Sequence, residues 1–149
     1  MTGKSNEGND YNSSRGKLFH IRVGMKHTKI ETLLDSGSQV NLISKKVVKQ
    51  LGLKTIKHRK PYTLIWMRRN HKLRVIEQFM LPFAITSQFK HKVMCDVVKL
   101  DTCGMVLGSP YLYDRKAIFY MEHNQYHLFK KELNMLYILI TQKQINLFL

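Results

Sequence analysis

Short runs in which apolar and polar residues alternate, each cut off by Gly, Asn, Pro or Ser, constrain this chain more than any other feature. Leu18-Phe19-His20-Ile21-Arg22-Val23-Gly24 alternates, passes Met25-Lys26-His27, and Thr28-Lys29-Ile30-Glu31-Thr32-Leu33-Leu34 resumes the alternation. A period of two sends successive side chains to opposite faces, so these runs predict two strands joined by a Gly-containing turn. Pro61 to Met67 and Lys72 to Ile76, separated by Arg68-Arg69-Asn70-His71, predict a second hairpin, with Asn70 suited to a left-handed turn. Phe79 to Ile85 and Lys92 to Leu100 predict two more strands, punctuated by Pro82 and by Ser87 to Lys90. Gly104-Met105-Val106-Leu107-Gly108, apolar between glycines, predicts a fully buried strand that another backbone can approach closely. Asp101-Thr102-Cys103-Gly104 before it reads as a turn. Ala117 to Met121 and Gln125 to Phe129 predict a last hairpin.

Helical spacing is confined to two places. Between Leu42 and Leu51 the apolar positions 43, 47, 48 and 51 recur at helical intervals, Lys45, Lys46 and Lys49 take the other face, and Gly52 follows as a C-cap. Ser109-Pro110 opens a helical turn through Tyr111, Leu112 and Tyr113. The expectation is a mostly β fold, a small closed barrel with one or two short helices.

The 149 residues suit one domain, placed at 17–130. Residues 1–16 are Gly, Ser and Asn rich and bury almost nothing, so they predict a disordered polar arm. Residues 131–149 form an apolar tail for which periodicity leaves a strand centred on Tyr137 to Ile140 and a helix equally open. The first sixteen residues do not read as a signal peptide, and no apolar run reaches the roughly 18 residues of a membrane span, so no membrane partner is expected. Cys95 and Cys103 make neither a disulfide framework nor a zinc site, and reduced thiols in an intracellular, cytoplasmic protein are the expectation. Nothing implies a metal or a cofactor.

Charge is high and uneven. Lys and Arg number 25 against 10 Asp and Glu, and no acidic residue lies between Ser36 and Ile76. That interval holds Lys45, Lys46, Lys49, Lys54, Lys57, Arg59, Lys60, Arg68, Arg69, Lys72 and Arg74. Such a field favours anionic partners, nucleic acid among them, although a solvated face has the same composition and the aromatic signatures of common RNA-binding modules are missing.

The chemistry is concentrated in Leu33-Leu34-Asp35-Ser36-Gly37-Ser38, followed by Gln39-Val40-Asn41-Leu42-Ile43-Ser44. A predicted strand delivers one carboxylate into a small-residue turn. Ser36 and Ser38 can hydrogen-bond the carboxylate or nearby backbone, and Gly37 leaves room for other atoms. The same residues also make ordinary turns. One such carboxylate does little alone, but two within hydrogen-bond reach share a proton, because two like charges there cannot both ionise. The ionised member can then take a proton from water while the protonated member donates to a carbonyl oxygen. The chain holds no second Asp-Ser/Thr-Gly, so a pair requires two copies about a two-fold axis.

Leu33 to Ser38, the helix-like Leu42 to Leu53 and Val106-Leu107-Gly108 resemble the retropepsin-like aspartic proteases. Tyr62-Thr63-Leu64-Ile65-Trp66, Cys95-Asp96-Val97-Val98 and Leu107 to Arg115 are more similar still to plant gypsy-type retrotransposon polyproteins, and the likeness spans Leu18 to Phe129. The resemblance implies a homodimeric aspartic endopeptidase that hydrolyses extended polypeptide during polyprotein processing, in the cell or within virus-like particles. Asp35 would be the catalytic carboxylate, with Ser36 and Gly37 as its turn and Ser38, Leu107 and Gly108 as support. Trp66 to Val75 would be a flap closing over substrate, with Trp66, Met67, Arg68, Arg69 and Asn70 at its tip. The C-terminal tail would join the two subunits through an interface sheet.

Three positions depart from the family's usual pattern. Ser109 stands where an Arg usually follows the Gly, Gln39 stands where retroviral members carry its acidic partner, and Arg68-Arg69-Asn70-His71 lacks the flap glycine of many members. A second reading therefore keeps the fold without the chemistry, as a retroelement relic serving as a binding module. A third is a nucleic-acid-binding domain.

Overall fold

The computed structural model describes residues 19–66, 71–130 and 136–141. The arm at 1–16, Met67, Arg68, Arg69 and Asn70 at the expected flap tip, and most of the tail lie outside the described residues.

Strands β1 (Phe19–Met25) and β2 (Thr28–Leu34) form the expected first hairpin, in register from Phe19↔Leu34 to Met25↔Thr28. Its turn differs from the expectation. Gly24 lies within β1, opposite Lys29, and the two loop residues are Lys26 and His27, both left-handed at φ 47° and 61°. In the type I′ form of a two-residue hairpin loop, whose twist matches the strands, both positions take positive φ, whichever residues fill them. After β3 (Leu42–Ser44) comes helix α1 (Lys45–Leu51). Ser44 caps it by accepting the Lys46 amide, and Gly52 ends it in the left-handed conformation at φ 61°. Lys45, Lys46 and Lys49 are exposed, while Val47 is buried.

Next come β4 (Ile56–Trp66), β5 (His71–Ala84) and β6 (Lys90–Val98). The runs Lys72 to Ile76 and Phe79 to Ile85, expected as separate strands, are one strand here. Glu77 and Gln78 continue the ladder with Lys57 and Ile56. Pro82 is tolerated inside it because it pairs only with Lys92 of β6, since β4 ends its pairing at Gln78 and β1 meets β5 only at Ala84. The chain goes on through β7 (Met105–Leu107), helix α2 (Ser109–Asp114), β8 (Ile118–Tyr120), β9 (Gln125–Lys130) and β10 (Leu136–Thr141). The tail segment that could have been strand or helix is thus a strand, antiparallel to β9.

The main sheet runs β1-β2-β7-β3-β6-β5-β4, and the Gly24↔Ala84 bridge between β1 and β5 closes six of these strands into a ring. The small closed β barrel with two short helices is therefore observed. β2, β7 and β3 cross its middle and bury both faces. Leu34, Ile43, Met105 and Leu107 enter the larger cluster with Phe19, Ile21, Val23 and Phe83. Leu33, Leu42 and Val106 enter a smaller cluster with Val75 and Val98, against which Tyr62, Leu64 and Leu73 of the β4–β5 hairpin pack. Apolar pairs such as Leu33-Leu34 replace alternation at these positions because neither face meets water. Each fully buried Leu or Val there contributes about 1.5–3 kcal/mol.

Candidate active site

Asp35 follows the last residue of β2, beside β7, its parallel neighbour. Its amide donates to Leu107 O at 3.0 Å, which extends the β2–β7 ladder by one bond and sets where the turn begins. Ser38 N–H donates to Asp35 O at 3.0 Å, and Gly37 N–H donates to Asp35 Oδ1 at 2.9 Å. Asp35 as a residue is 4% exposed. A Cβ built on Gly37 would lie 3.2 Å from Asp35 Oδ1, so a larger residue would crowd the oxygen that the amide holds. A backbone amide therefore positions this oxygen, while Ser38 Oγ donates instead to Val40 O at 2.7 Å. Ser36 is exposed and opens onto a depression of about 480 Å³ lined also by Ser109, Leu112, Tyr113, Lys116 and Ala117.

The end of β7 and the start of α2 lock this loop. Ser109 N–H donates to Ser38 O at 2.7 Å. Gly108 sits so close that an added Cβ would be 2.4 Å from Val40 O and 2.6 Å from Ser38 O. Gly108 N–H donates to Asn41 Oδ1 at 2.8 Å, and Asn41 is buried. Ser38, Leu107 and Gly108, expected as supports, are thus gathered around Asp35. Gln39 is exposed, and Ser109 binds the loop through its amide. Within the chain, a backbone bond holds this corner, where Ser109 and Gln39 stand.

Two residues here were not singled out from the sequence. Asn41 carried one weak signal, a polar amide between apolar Val40 and Leu42. Tyr126 carried none, since only the fold brings β9 beneath the loop. Its phenol is raised by burial first and then by the charge of Asp35. Phe19 meets the Tyr126 ring edge-on at 4.8 Å and Phe119 stacks on it at 4.8 Å.

The β4–β5 hairpin, the segment expected as a flap, is formed, with Trp66 paired to His71 at its last described rung. Lys45, Lys46, Lys49, Lys54, Lys57, Arg59, Lys60, Lys72 and Arg74 are all exposed, and among the described residues none forms an ion pair. No group of three or more His, Cys, Asp or Glu among the described residues could hold a metal ion.

The arrangement can hold one carboxylate still at a strand end, with its turn facing outward. Comparison with known proteins points the same way. The family model of the PEG10/RTL1 protease domain matches residues 31–127. Among solved structures, the chain is similar to the retroviral protease-like domain of Ddi1 from Leishmania major, with TM-score 0.56 and 13% identity over 82% of this chain and 94% of that one. It is also similar to a retropepsin-like aspartic protease from Rickettsia conorii, with TM-score 0.51 and 19% identity over 71% of this chain and 79% of that one. No curated protein sequence matches the chain. With Asp35, its turn and the Val106-Leu107-Gly108 strand all inside the matched region, the chain belongs to the PEG10/RTL1 protease domain family and has a retropepsin-like aspartic protease fold.

Proposed function

We propose that this protein is an aspartic endopeptidase that works as a two-fold homodimer, pairing Asp35 with its counterpart in a second copy. The observation that carries the reading is the buried Asp35, its carboxylate held by the Gly37 amide and its backbone locked to β7. In such a pair one carboxylate stays protonated beside the other's charge. The ionised member takes a proton from water as the water oxygen bonds to the peptide carbonyl carbon, and the protonated member gives its proton to the carbonyl oxygen. The member that took the water proton then gives it to the amide nitrogen while the other takes a proton from one hydroxyl of the tetrahedral intermediate, and the C–N bond breaks to yield a carboxylic acid and an amine.

The surface beside the loop supports pairing of two copies. Tyr113 is 85% exposed and Met121 77%, and between them in sequence Ile118, Phe119 and Tyr120 form β8, apolar and exposed throughout. β8 is an edge of the three-stranded sheet. An exposed apolar edge strand is a template for pairing with another chain. β10 of the tail is the other edge of the same sheet, since β8 and β10 each pair with β9, so the interface expected of the tail would lie on the same sheet as β8. Substrate would be extended polypeptide, bound as an added strand under the β4–β5 hairpin. The likeness of Tyr62 to Trp66 and Cys95 to Val98 to plant gypsy-type polyproteins supports polyprotein processing inside the cell as the setting.

The test is peptide cleavage by the full chain between about pH 4 and 7, the range in which a coupled carboxylate pair titrates, beside an Asp35→Asn variant. Cleavage that rises with the square of chain concentration and vanishes in the variant is expected. No cleavage by the wild type at concentrations where it dimerises would overturn the reading.

Nine exposed cations that form no ion pair among the described residues favour a second role, contact with nucleic acid. Binding to RNA that weakens steeply with salt is the expected result, and salt-independent binding would remove this role.

A further inference from the structure

The register of β4 against β5 breaks once. Ile56 and Lys57 face Gln78 and Glu77, and pairing resumes with Tyr62 opposite Val75. His58, Arg59, Lys60 and Pro61 therefore stand opposite Ile76 alone. An insertion of this kind bends its strand and interrupts the ladder, and Pro61 has no amide to donate. On the β4 side the hairpin beyond Tyr62 is joined to the barrel through a weak section, while β5 runs unbroken from His71 to Ala84.

Two side chains bracket that section, His58 on the barrel side and Tyr62 on the hairpin side, and both reach one carboxylate on β6. Tyr62 Oη donates to Asp96 Oδ2, and His58 Nε2 lies 3.2 Å from Asp96 Oδ1. The other ring nitrogen identifies the tautomer. Lys60 N–H donates to His58 Nδ1 at 3.0 Å, so Nδ1 is the acceptor and Nε2 carries the proton that faces Asp96. Asp96 is 8% exposed, and two donors compensate the burial of its charge. Burial first, and then the bond to Asp96 and its charge, hold the Tyr62 phenol well above its ordinary range, so it remains a donor.

Asp96 also faces the catalytic loop. Its amide donates to Asn41 O at 2.8 Å, while Asn41 Oδ1 accepts the Gly108 amide that lies against Ser38 and Val40. One run of hydrogen bonds leads from the weak section of β4 to the loop that carries Asp35.

We propose that Asp96, His58 and Tyr62 form a hinge pin that sets how the β4–β5 hairpin stands over the Asp35 loop. They are positioning residues, acting on bound peptide through the hairpin. Their effect on substrate rests on the endopeptidase reading, whereas the hinge itself does not.

The test is amide hydrogen exchange on the full chain together with steady-state peptide cleavage, for Tyr62→Phe, Asp96→Asn and the double variant. Tyr62→Phe removes one oxygen and keeps the ring that packs near Leu33 and Leu42. Exchange at Thr63, Leu64, Leu73 and Val75 should rise by roughly tenfold, as expected for losing one hydrogen bond to a charged group. Exchange at Leu33, Ile43 and Val106 should stay unchanged. KM should rise by a similar factor with kcat little altered, and the double variant should match Asp96→Asn. Equal acceleration in the hairpin and the central strands, or none in the hairpin, would overturn the proposal. Exchange needs no cleavage, so a wild type inactive on peptides would sink the endopeptidase reading while the exchange pattern still decides the hinge.

Discussion

The amide of Gly108 donates to the side-chain oxygen of Asn41 at 2.8 Å, across 67 residues of sequence, and this bond clamps the two ends of the Asp35 platform together. Both groups are buried, so losing either partner leaves a polar atom dry. Asn41→Ala should cost about 1–3 kcal/mol of stability by that argument, whereas Asn41→Asp keeps an acceptor oxygen and should cost less. Urea unfolding of both variants checks the order.

Gly108→Ala should be worse for function than for folding. The added carbon would stand 2.4 Å from Val40 O and 2.6 Å from Ser38 O, both backbone atoms of the loop, so the loop must move. Overpacking of this kind costs about 1–3 kcal/mol. Under the proposed endopeptidase reading, a displaced loop would misplace the Asp35 carboxylate. Cleavage should be lost under conditions where circular dichroism still shows a folded chain.

Asp35→Asn should leave the fold intact and lower peptide cleavage by about 10²–10⁴-fold, the range for removing a general acid or base. The Gly37 amide can still donate to the amide oxygen of Asn, so melting should change little. A variant as active as the wild type would place the chemistry elsewhere.

Acid should destabilise the protein through His91. Burial first, then Arg115 and Lys130, lower its pKa from 6.5 to about 4. Phe83 and Phe89 meet its ring edge-on, Tyr111 stacks on it, and Nε2 lies 2.8 Å from Tyr111 Oη. Because the folded-state pKa lies below the unfolded one, the unfolded chain takes up a proton that the folded one refuses. The contribution is complete above pH 6.5 and is lost as pH falls toward 4. That window overlaps the one in which a carboxylate pair works, so activity should fall on the acid side partly through unfolding. Denaturant midpoints measured from pH 7 to 4 should flatten in His91→Gln.

Ile118→Lys and Met121→Lys should raise the concentration needed for dimerisation by about tenfold or more, the effect of charging an apolar interface residue. Both side chains are exposed in the single chain, at 45% and 77%, so its folding should be unaffected. Sedimentation at graded concentrations reads this directly, and cleavage should recover as concentration rises.

Local patterning by itself determined a great deal. Alternation produced both arms of the first hairpin, Gly52 and Ser109-Pro110 marked helix boundaries, and the glycine-bounded apolar run at 104–108 predicted β7. These features depend on neighbours in sequence, where side-chain period and backbone freedom act directly. What tertiary structure alone decided is long-range. β3 is three residues long and read as the start of a helix, because only its bonds to β6 and β7 make it a strand. Glu77-Gln78 looked like a break and is a rung, since β4 supplies partners that the local sequence does not show. Asp35 could be named from its motif. Asn41, Tyr126 and the Asp96 tie to His58 and Tyr62 could not, because each depends on a contact between distant segments that exists only once the barrel has closed.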